Sequence, residues 1–406
     1  MYIKRHVEDV VKKATKMFSA VLITGPRQVG KTTLLKNLLG NLEYVSFDDP
    51  VMLMMAKEEP GNFFQKHLTP LIIDEVQYAP ELFPYVKMIA DRSNKTGLFY
   101  LTGSQSFHLM KNVTETMAGR VGIISLQGFS LREIYRVSYN KPFIPIENYF
   151  SERNKYVVDI SYSEIFKRIH KGHMPALEND EQDIGLFYES YLNTYIQRDV
   201  RDLMQVGNLS DFVKFMTVAA ARTGQMLNYN DIARDVGVSA PTIKSWLSVL
   251  EASGIVYLLQ PYFNNVTKRA IKTPKLYFLN TGLAAHLTRW STPETLERGA
   301  MAGAFFETFV ISEILKSYLN AGITNAPLYY YRDKDKREID LIIEADGKLH
   351  PIEIKKTANP SSKDISNFAV LDNLGDVKRG SGGIICTYKE KIKISLNDYI
   401  IPISYI

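Results

Sequence analysis

The sequence has one cysteine, Cys386, in 406 residues. A single thiol excludes an internal disulfide framework and suits a reducing compartment. No apolar run is long enough to span a bilayer. The opening stretch, MYIKRHVEDVVKKATKMF, carries Lys, Glu and Asp throughout and lacks the apolar segment of a signal peptide. These absences lead us to expect a cytoplasmic protein with no membrane partner. Internal repeats and low-complexity tracts are missing too. Charge is nearly balanced: 49 Lys and Arg against 44 Asp and Glu leave +5, compatible with a nucleic-acid partner but no proof of one. With 45% hydrophobic and 23% charged residues, the chain reads as globular, and its length suggests roughly two to four domains. Breaks near 125–130, 205–210 and 290–300 divide it into 1–128, 129–208, 209–290 and 291–406.

What is present begins with a short apolar run, VLIT at 21–24, then GPRQVGKTT at 25–33 and LLKNLLG. Strand, glycine-bounded loop and helix together meet the phosphate-loop pattern GxxxxGK(S/T). The loop Gly25, Pro26, Arg27, Gln28, Val29, Gly30, Lys31, Thr32 and Thr33 would wrap a nucleotide's phosphates through the backbone N–H groups of every residue but the proline, and side chains at Gly25 or Gly30 would obstruct the curl. Lys31 reaches the β- and γ-phosphates, and the Thr32 hydroxyl suits Mg²⁺. A buried strand, TPLIIDEVQ at 69–77, ends in two acids. Asp74 would hold the metal through water, and Glu75 would act as general base on the attacking water. LFYLTGSQ at 98–105 offers Ser104, or less favourably Thr102, as a γ-phosphate sensor. Arg120 reads equally as a finger on a neighbouring subunit's nucleotide and as a surface charge. Asp48 and Asp49 are either behind the site or turn formers. The order of elements is that of a doubly wound P-loop NTPase of the ATPase branch.

Residues 129–135 and 191–203 read as helices, with Arg198 and Asp199 more readily solvated than near nucleotide. From 211 to 280 the pattern is helix, then a capped helix to Val236, a turn at Gly237, and a second helix with Ile243, Trp246, Leu247 and Leu250 on one face. Two strands follow as a wing. Lys244 on the helix and Lys268, Arg269, Lys272 and Lys275 on the wing are the candidate DNA contacts, set against a packing role between domains.

EIDLIIEADGKLHPIEIKK, 338–356, reads as a hairpin turning at Asp346-Gly347, with opposed residue numbers summing to 693. Asp340 then faces Glu353, and Glu338 faces Lys355. A solvated Glu338–Lys355 pair would contribute about 0.2–1 kcal/mol. The opposed carboxylates, however, favour a divalent cation held by Asp340 and Glu353, with Lys355 beside it and Glu307 supplied by the apolar helix 303–319.

The set Glu307, Asp340, Glu353, Lys355 resembles the PD-(D/E)xK endonuclease superfamily, although Glu338-Ile339 stands where the superfamily has Pro. Across essentially its full length the chain resembles a prokaryotic ATPase family that joins an AAA+-like P-loop domain to a winged helix and a C-terminal restriction-endonuclease-like domain. The carrying motifs are GPRQVGKTT, LIIDEVQ, LTGSQ, MAGRVG, TYIQRDV, KTPKLYFLNTGLAAH and YRDKDKREIDLII…IEIKK. The resemblance implies an α/β fold with those three parts, ATP and Mg²⁺ as cofactors, ATP hydrolysis and homo-oligomerisation. The competing expectation is a nucleotide-switched scaffold that binds a protein partner and cuts nothing.

Overall fold

Ala20–Thr24 (β1) is buried at all five positions. Its alternation sorts side chains onto two cores: Val21 and Ile23 join one shared with the helical middle of the chain, Ala20 and Leu22 another that includes Phe63, Val76 and Phe99. A strand covered on both faces needs apolar residues throughout, which VLIT supplies. In a computed structural model, whose described residues are 2–103, 116–179, 182–195, 209–263, 273–373 and 377–406, β1 is joined by β2 (Glu43–Ser46), β3 (Leu71–Asp74), β4 (Phe99–Thr102) and β5 (Val121–Ser125). The pairings are parallel, in the order β2-β3-β4-β1-β5. The C-terminal ends of the strands therefore share one edge, where open α/β sheets bind ligands. Helix α1 (Glu8–Met17) packs on β1 and β5, and α2 (Lys31–Leu38) follows the loop after β1.

The middle of the chain contains α3 (Leu209–Ala220), β6 (Gln225–Met226), α4 (Tyr229–Val236) and α5 (Ala240–Ala252). The Asn228 side chain caps α4 by accepting from the N–H groups of Asn230 and Asp231, Gly237 ends it in the left-handed region (φ 90°), and Ser239 caps α5 through the Thr242 N–H. Ile243, Trp246, Leu247 and Leu250 face inward, while Lys244, Ser245 and Ser248 are exposed. Next come β7 (Val256–Pro261) and β8 (Lys275–Phe278), which pair antiparallel.

The C-terminal part opens with the long helix α6 (Ala302–Asn320), buried along nearly all its length. Then follow β9 (Leu328–Arg332), β10 (Glu338–Ala345), β11 (Lys348–Lys355), β12 (Lys378–Arg379), β13 (Gly382–Cys386), β14 (Ile392–Lys393) and β15 (Asp398–Pro402). Asp346 (φ 51°) and Gly347 (φ 68°) both take the left-handed conformation that a two-residue turn of this kind requires. The ladder runs from Ala345 opposite Lys348 to Leu341 opposite Ile352, the register expected from the sequence. Beyond it the pattern changes. Ile339 opposes Tyr331 and Ile342 opposes Tyr329, so Asp340 and Leu341 together face Tyr330. This is a β-bulge, a device that re-aims a side chain.

β7 also pairs in parallel with β9, through Gln260–Tyr329 and Pro261–Tyr330. The hairpin of the middle region and the C-terminal strands thus form one sheet, β14-β15-β13-β11-β10-β9-β7-β8-β6 with β12 beside β11. This sheet crosses the division expected at 290/291. Among the described residues no helix is long and apolar enough to cross a membrane.

Candidate functional site

The loop between β1 and α2 lies at the ligand edge of the parallel sheet. Gly25 has φ 139°, and a Cβ there would stand 2.0 Å from the Leu126 carbonyl oxygen. The glycine is thus demanded by the backbone of the segment after β5. Gly30, at φ 91°, needs its left-handed conformation, not space: an added Cβ would meet only Pro175 Cγ at 4.0 Å. Gln28 is also left-handed, at φ 60°. Lys31 is buried, and its Nζ donates to the carbonyls of Gly25 (3.0 Å) and Pro26 (2.8 Å). Val29 belongs to the core, Arg27 reaches the Tyr78 hydroxyl at 3.5 Å, and Thr33 is exposed.

Asp74 ends β3 and collects three hydroxyls. Thr32 donates to its Oδ2 at 2.8 Å, Tyr44 to the same oxygen at 2.7 Å, and Thr102 to Oδ1. Burial and then the bond to Asp74 push the Tyr44 hydroxyl up to about 12. Glu75 follows in the left-handed region (φ 56°), its Oε2 held by the Gln77 amide. Lys31, Thr32, Asp74, Glu75 and Thr102 are therefore gathered at one edge. Ser104 lies outside the described residues, as do Arg198 and Asp199. Asp49 proves to be a helix cap, accepting from the Val51 N–H at 2.8 Å, and Asp48 is exposed. Arg120 precedes β5 at the opposite edge of the sheet, where it pairs with Asp91; it does not reach its own chain's phosphate loop.

Sequence reading missed what flanks the loop. The buried Arg5 guanidinium donates to the carbonyls of Val29 (2.9 Å) and Gln127 (2.7 Å) and pairs with Glu133 at 2.9 Å. A cavity of about 610 Å³ opens beside Gly30 and Thr33, bounded by Tyr2, Ile3, Phe129 and Pro175 among others. These residues lie far from the loop in sequence or carry no motif, so no local signal could have found them.

The second cluster lies where α6, β8 and β10 meet. Lys275 was expected on an exposed wing. Instead it is 3% exposed, with Nζ 2.6 Å from Glu338, 3.3 Å from Glu307 and 3.7 Å from Asp340. This corrects its reading as a DNA contact: it begins β8, which turns its side chain into the acids. Glu307 also accepts from the Tyr277 hydroxyl at 2.5 Å. Asp340 Oδ2 accepts the Ile354 N–H at 2.9 Å. Glu338 does not pair with Lys355, because the ladder ends at Leu341–Ile352; it takes Lys275 and Arg332 instead, while Lys355 pairs with Glu353 at 2.7 Å. Burial first, then Asp340, raise Glu307 to about 7 and Glu353 to about 8, against the opposing pull of nearby lysines. Among the described residues no group of three or more His, Cys, Asp or Glu side chains is arranged to hold a metal ion. The expected metal pair Asp340 and Glu353 therefore belongs to a cluster whose central cation is an ammonium. Lys268, Arg269 and Lys272 lie outside the described residues.

α6 ties the two regions together. Lys316 Nζ donates to the Phe129 carbonyl at 2.8 Å, Glu313 accepts the Leu131 N–H at 2.9 Å, and the two side chains pair at 2.5 Å with His173 3.0 Å away.

Residues 17–135 match the AAA domain family, residues 162–294 a domain of unknown function (DUF8612), and residues 302–406 another (DUF4143). The chain is 28% identical over 372 residues to the uncharacterized proteins Rv2008c of Mycobacterium tuberculosis and Mb2031c of Mycobacterium bovis, covering 91% of this chain and 77% of each relative. Among solved structures, the Walker-type ATPase PABY2304 of Pyrococcus abyssi is 14% identical, with TM-score 0.42 over 70% of this chain and 96% of that one. The RuvB Holliday junction branch migration motor of Thermotoga maritima is 20% identical, with TM-score 0.28 over 62% and 88%. Neither superposes closely enough to carry an argument. The AAA match falls on the parallel sheet and its phosphate loop, and this N-terminal part of the chain is an AAA-type P-loop ATPase domain.

Proposed function

We propose that the chain is a Mg²⁺-dependent ATPase that engages DNA through a winged helix in its middle part and carries an endonuclease-like C-terminal part. The observation that carries the ATPase reading is the convergence of Lys31, Thr32, Asp74 and Glu75 at the ligand edge of the sheet, with Thr32 bonded directly to Asp74. A hydroxyl and a carboxylate are hard oxygen donors that fit Mg²⁺, Asp74 acting through a water. The metal, when bound with ATP, would neutralise charge on the transferring phosphoryl group. Lys31 exchanges the loop carbonyls for the β- and γ-phosphates. Glu75, oriented by Gln77, accepts the proton of the attacking water. Ser104, or less favourably Thr102, which donates to Asp74, senses the terminal phosphate. Assembly into a homo-oligomer, with Arg120 released from Asp91 to meet a neighbour's nucleotide, belongs to the same proposal.

The DNA reading treats α4, α5 and the β7–β8 hairpin as a winged helix. It is supported by the exposed Lys244, Ser245 and Ser248 on α5 and by the basic run Lys268, Arg269, Lys272. Phosphate release should be measured with and without duplex DNA, in wild type and in Glu75→Gln. The variant should keep nucleotide affinity and lose turnover by about a hundredfold or more. Unchanged turnover removes Glu75 as the base. A DNA affinity that does not fall with salt removes the basic wing.

A second reading, a nucleotide-switched scaffold for a protein partner with a C-terminal part that cuts nothing, is favoured by one observation: Lys275 lies inside the acid cluster.

A further inference from the structure

Lys275 is held from both sides. Its backbone opposes Leu259 of β7 and Met226 of β6, so the side chain is not a loose arm that has swung in. A buried ammonium is tolerated only with close partners. This one has Glu338 at 2.6 Å, Glu307 at 3.3 Å and Asp340 at 3.7 Å, and it lies 5.5 Å from the Tyr330 ring centroid. The remaining acid, Glu353, has its Oε1 taken by Lys355, and Glu338 Oε2 is met by Arg332 at 3.3 Å. The four carboxylates thus face Lys275, Lys355 and Arg332, and the cluster is close to neutral from its own side chains. A divalent ion placed among Glu307, Asp340 and Glu353 would be pressed against the Lys275 ammonium in a site that is shielded from water.

We propose that Lys275 is the built-in cation of this cluster, and that while its ammonium is in place the C-terminal acids take no divalent metal. The lysine comes from the middle region and the acids from the C-terminal one. Strand β8 therefore delivers the cation that the acid cluster holds. This inference does not rest on the ATPase reading, and its failure would leave that reading standing.

The test is titration of nucleotide-free, full-length protein with Mn²⁺, following the free-ion signal by electron paramagnetic resonance. Wild type is expected to show no saturable site that Asp340→Asn removes. Lys275→Met, which keeps length and removes charge, is expected to gain about one Mn²⁺ per chain, lost again in Lys275→Met/Asp340→Asn; Lys275→Arg should gain none. A wild-type site abolished by Asp340→Asn would overturn the proposal, and so would a folded Lys275→Met protein that gains nothing. A wild-type site abolished by Asp74→Asn but not by Asp340→Asn belongs to the phosphate loop and agrees with it. Should Lys275→Met fail to fold, the wild-type and Asp340→Asn titrations still decide between the two outcomes.

Discussion

The Thr32 hydroxyl donates a 2.8 Å hydrogen bond to Asp74 Oδ2, tying the first turn of α2 to the end of β3. Each residue fixes the other's rotamer, so the two oxygens are set before a nucleotide arrives. Thr32→Ala removes the hydroxyl proposed to meet the metal and leaves Asp74 held by Tyr44 and Thr102. We expect ATP turnover to fall by about a hundredfold with little change in melting temperature, since a single preorganised group typically contributes that much. Phosphate-release kinetics beside a thermal melt check it.

The two glycines of the loop should not behave alike. Gly25→Ala drives a methyl to 2.0 Å from the Leu126 carbonyl, whereas Gly30→Ala meets nothing closer than 4.0 Å. The first should destabilise the fold by about 2–3 kcal/mol, adding steric strain to an unfavourable φ; the second should lose only about 1–2 kcal/mol through its left-handed backbone. Urea denaturation of both variants would reveal equal losses if the Leu126 contact is unimportant.

Glu313→Ala leaves Lys316 buried without its carboxylate and the Leu131 N–H without an acceptor. A buried pair broken on one side typically costs about 3–5 kcal/mol. The loss should appear as a lower unfolding midpoint, larger than that of Glu313→Gln, which keeps an acceptor. In wild type, burial pushes the Glu313 carboxyl up, but Lys316 and His173 outweigh it and hold it near 2. Glu313 is therefore ionised across the neutral range, while burial lowers the Lys316 ammonium against the pull of Glu313.

The acid cluster gives the opposite pH sign. Glu353, raised to about 8 by burial and by Asp340, holds a proton in the folded chain that the unfolded chain has released. That contribution is complete below the ordinary carboxylate range and is lost as pH rises through about 8. Wild-type stability should decline over this window, and Glu353→Gln should flatten the decline. Denaturant midpoints between pH 5 and 9 that run parallel for the two proteins would contradict the assignment.

What could be read from the sequence was local. The phosphate loop announces itself through glycine, lysine and threonine at fixed spacing, and the Asp-Gly turn dictates the β10–β11 register because two left-handed residues permit only one closure. The bulge at Asp340–Leu341 was not legible, since it depends on β9, a strand joined to β10 by a longer turn that carries no such arithmetic. Lys275 misled for a related reason. Within TKRAIKTPK it looks like its basic neighbours, and only the pairing of β8 with both β6 and β7 turns it inward. Arg5 sits 24 residues from the Val29 carbonyl that it holds, with no motif to mark it.

The parallel pairing of β7 with β9 has a practical outcome for anyone dissecting this molecule. Severing the polypeptide near residue 290 would not release two independent modules; it would strip β9 of its neighbour and bare a raw edge on each fragment, surfaces that recruit other strands. Fragments made that way should precipitate or self-associate, and dissection by point substitution in the intact chain is the sounder course.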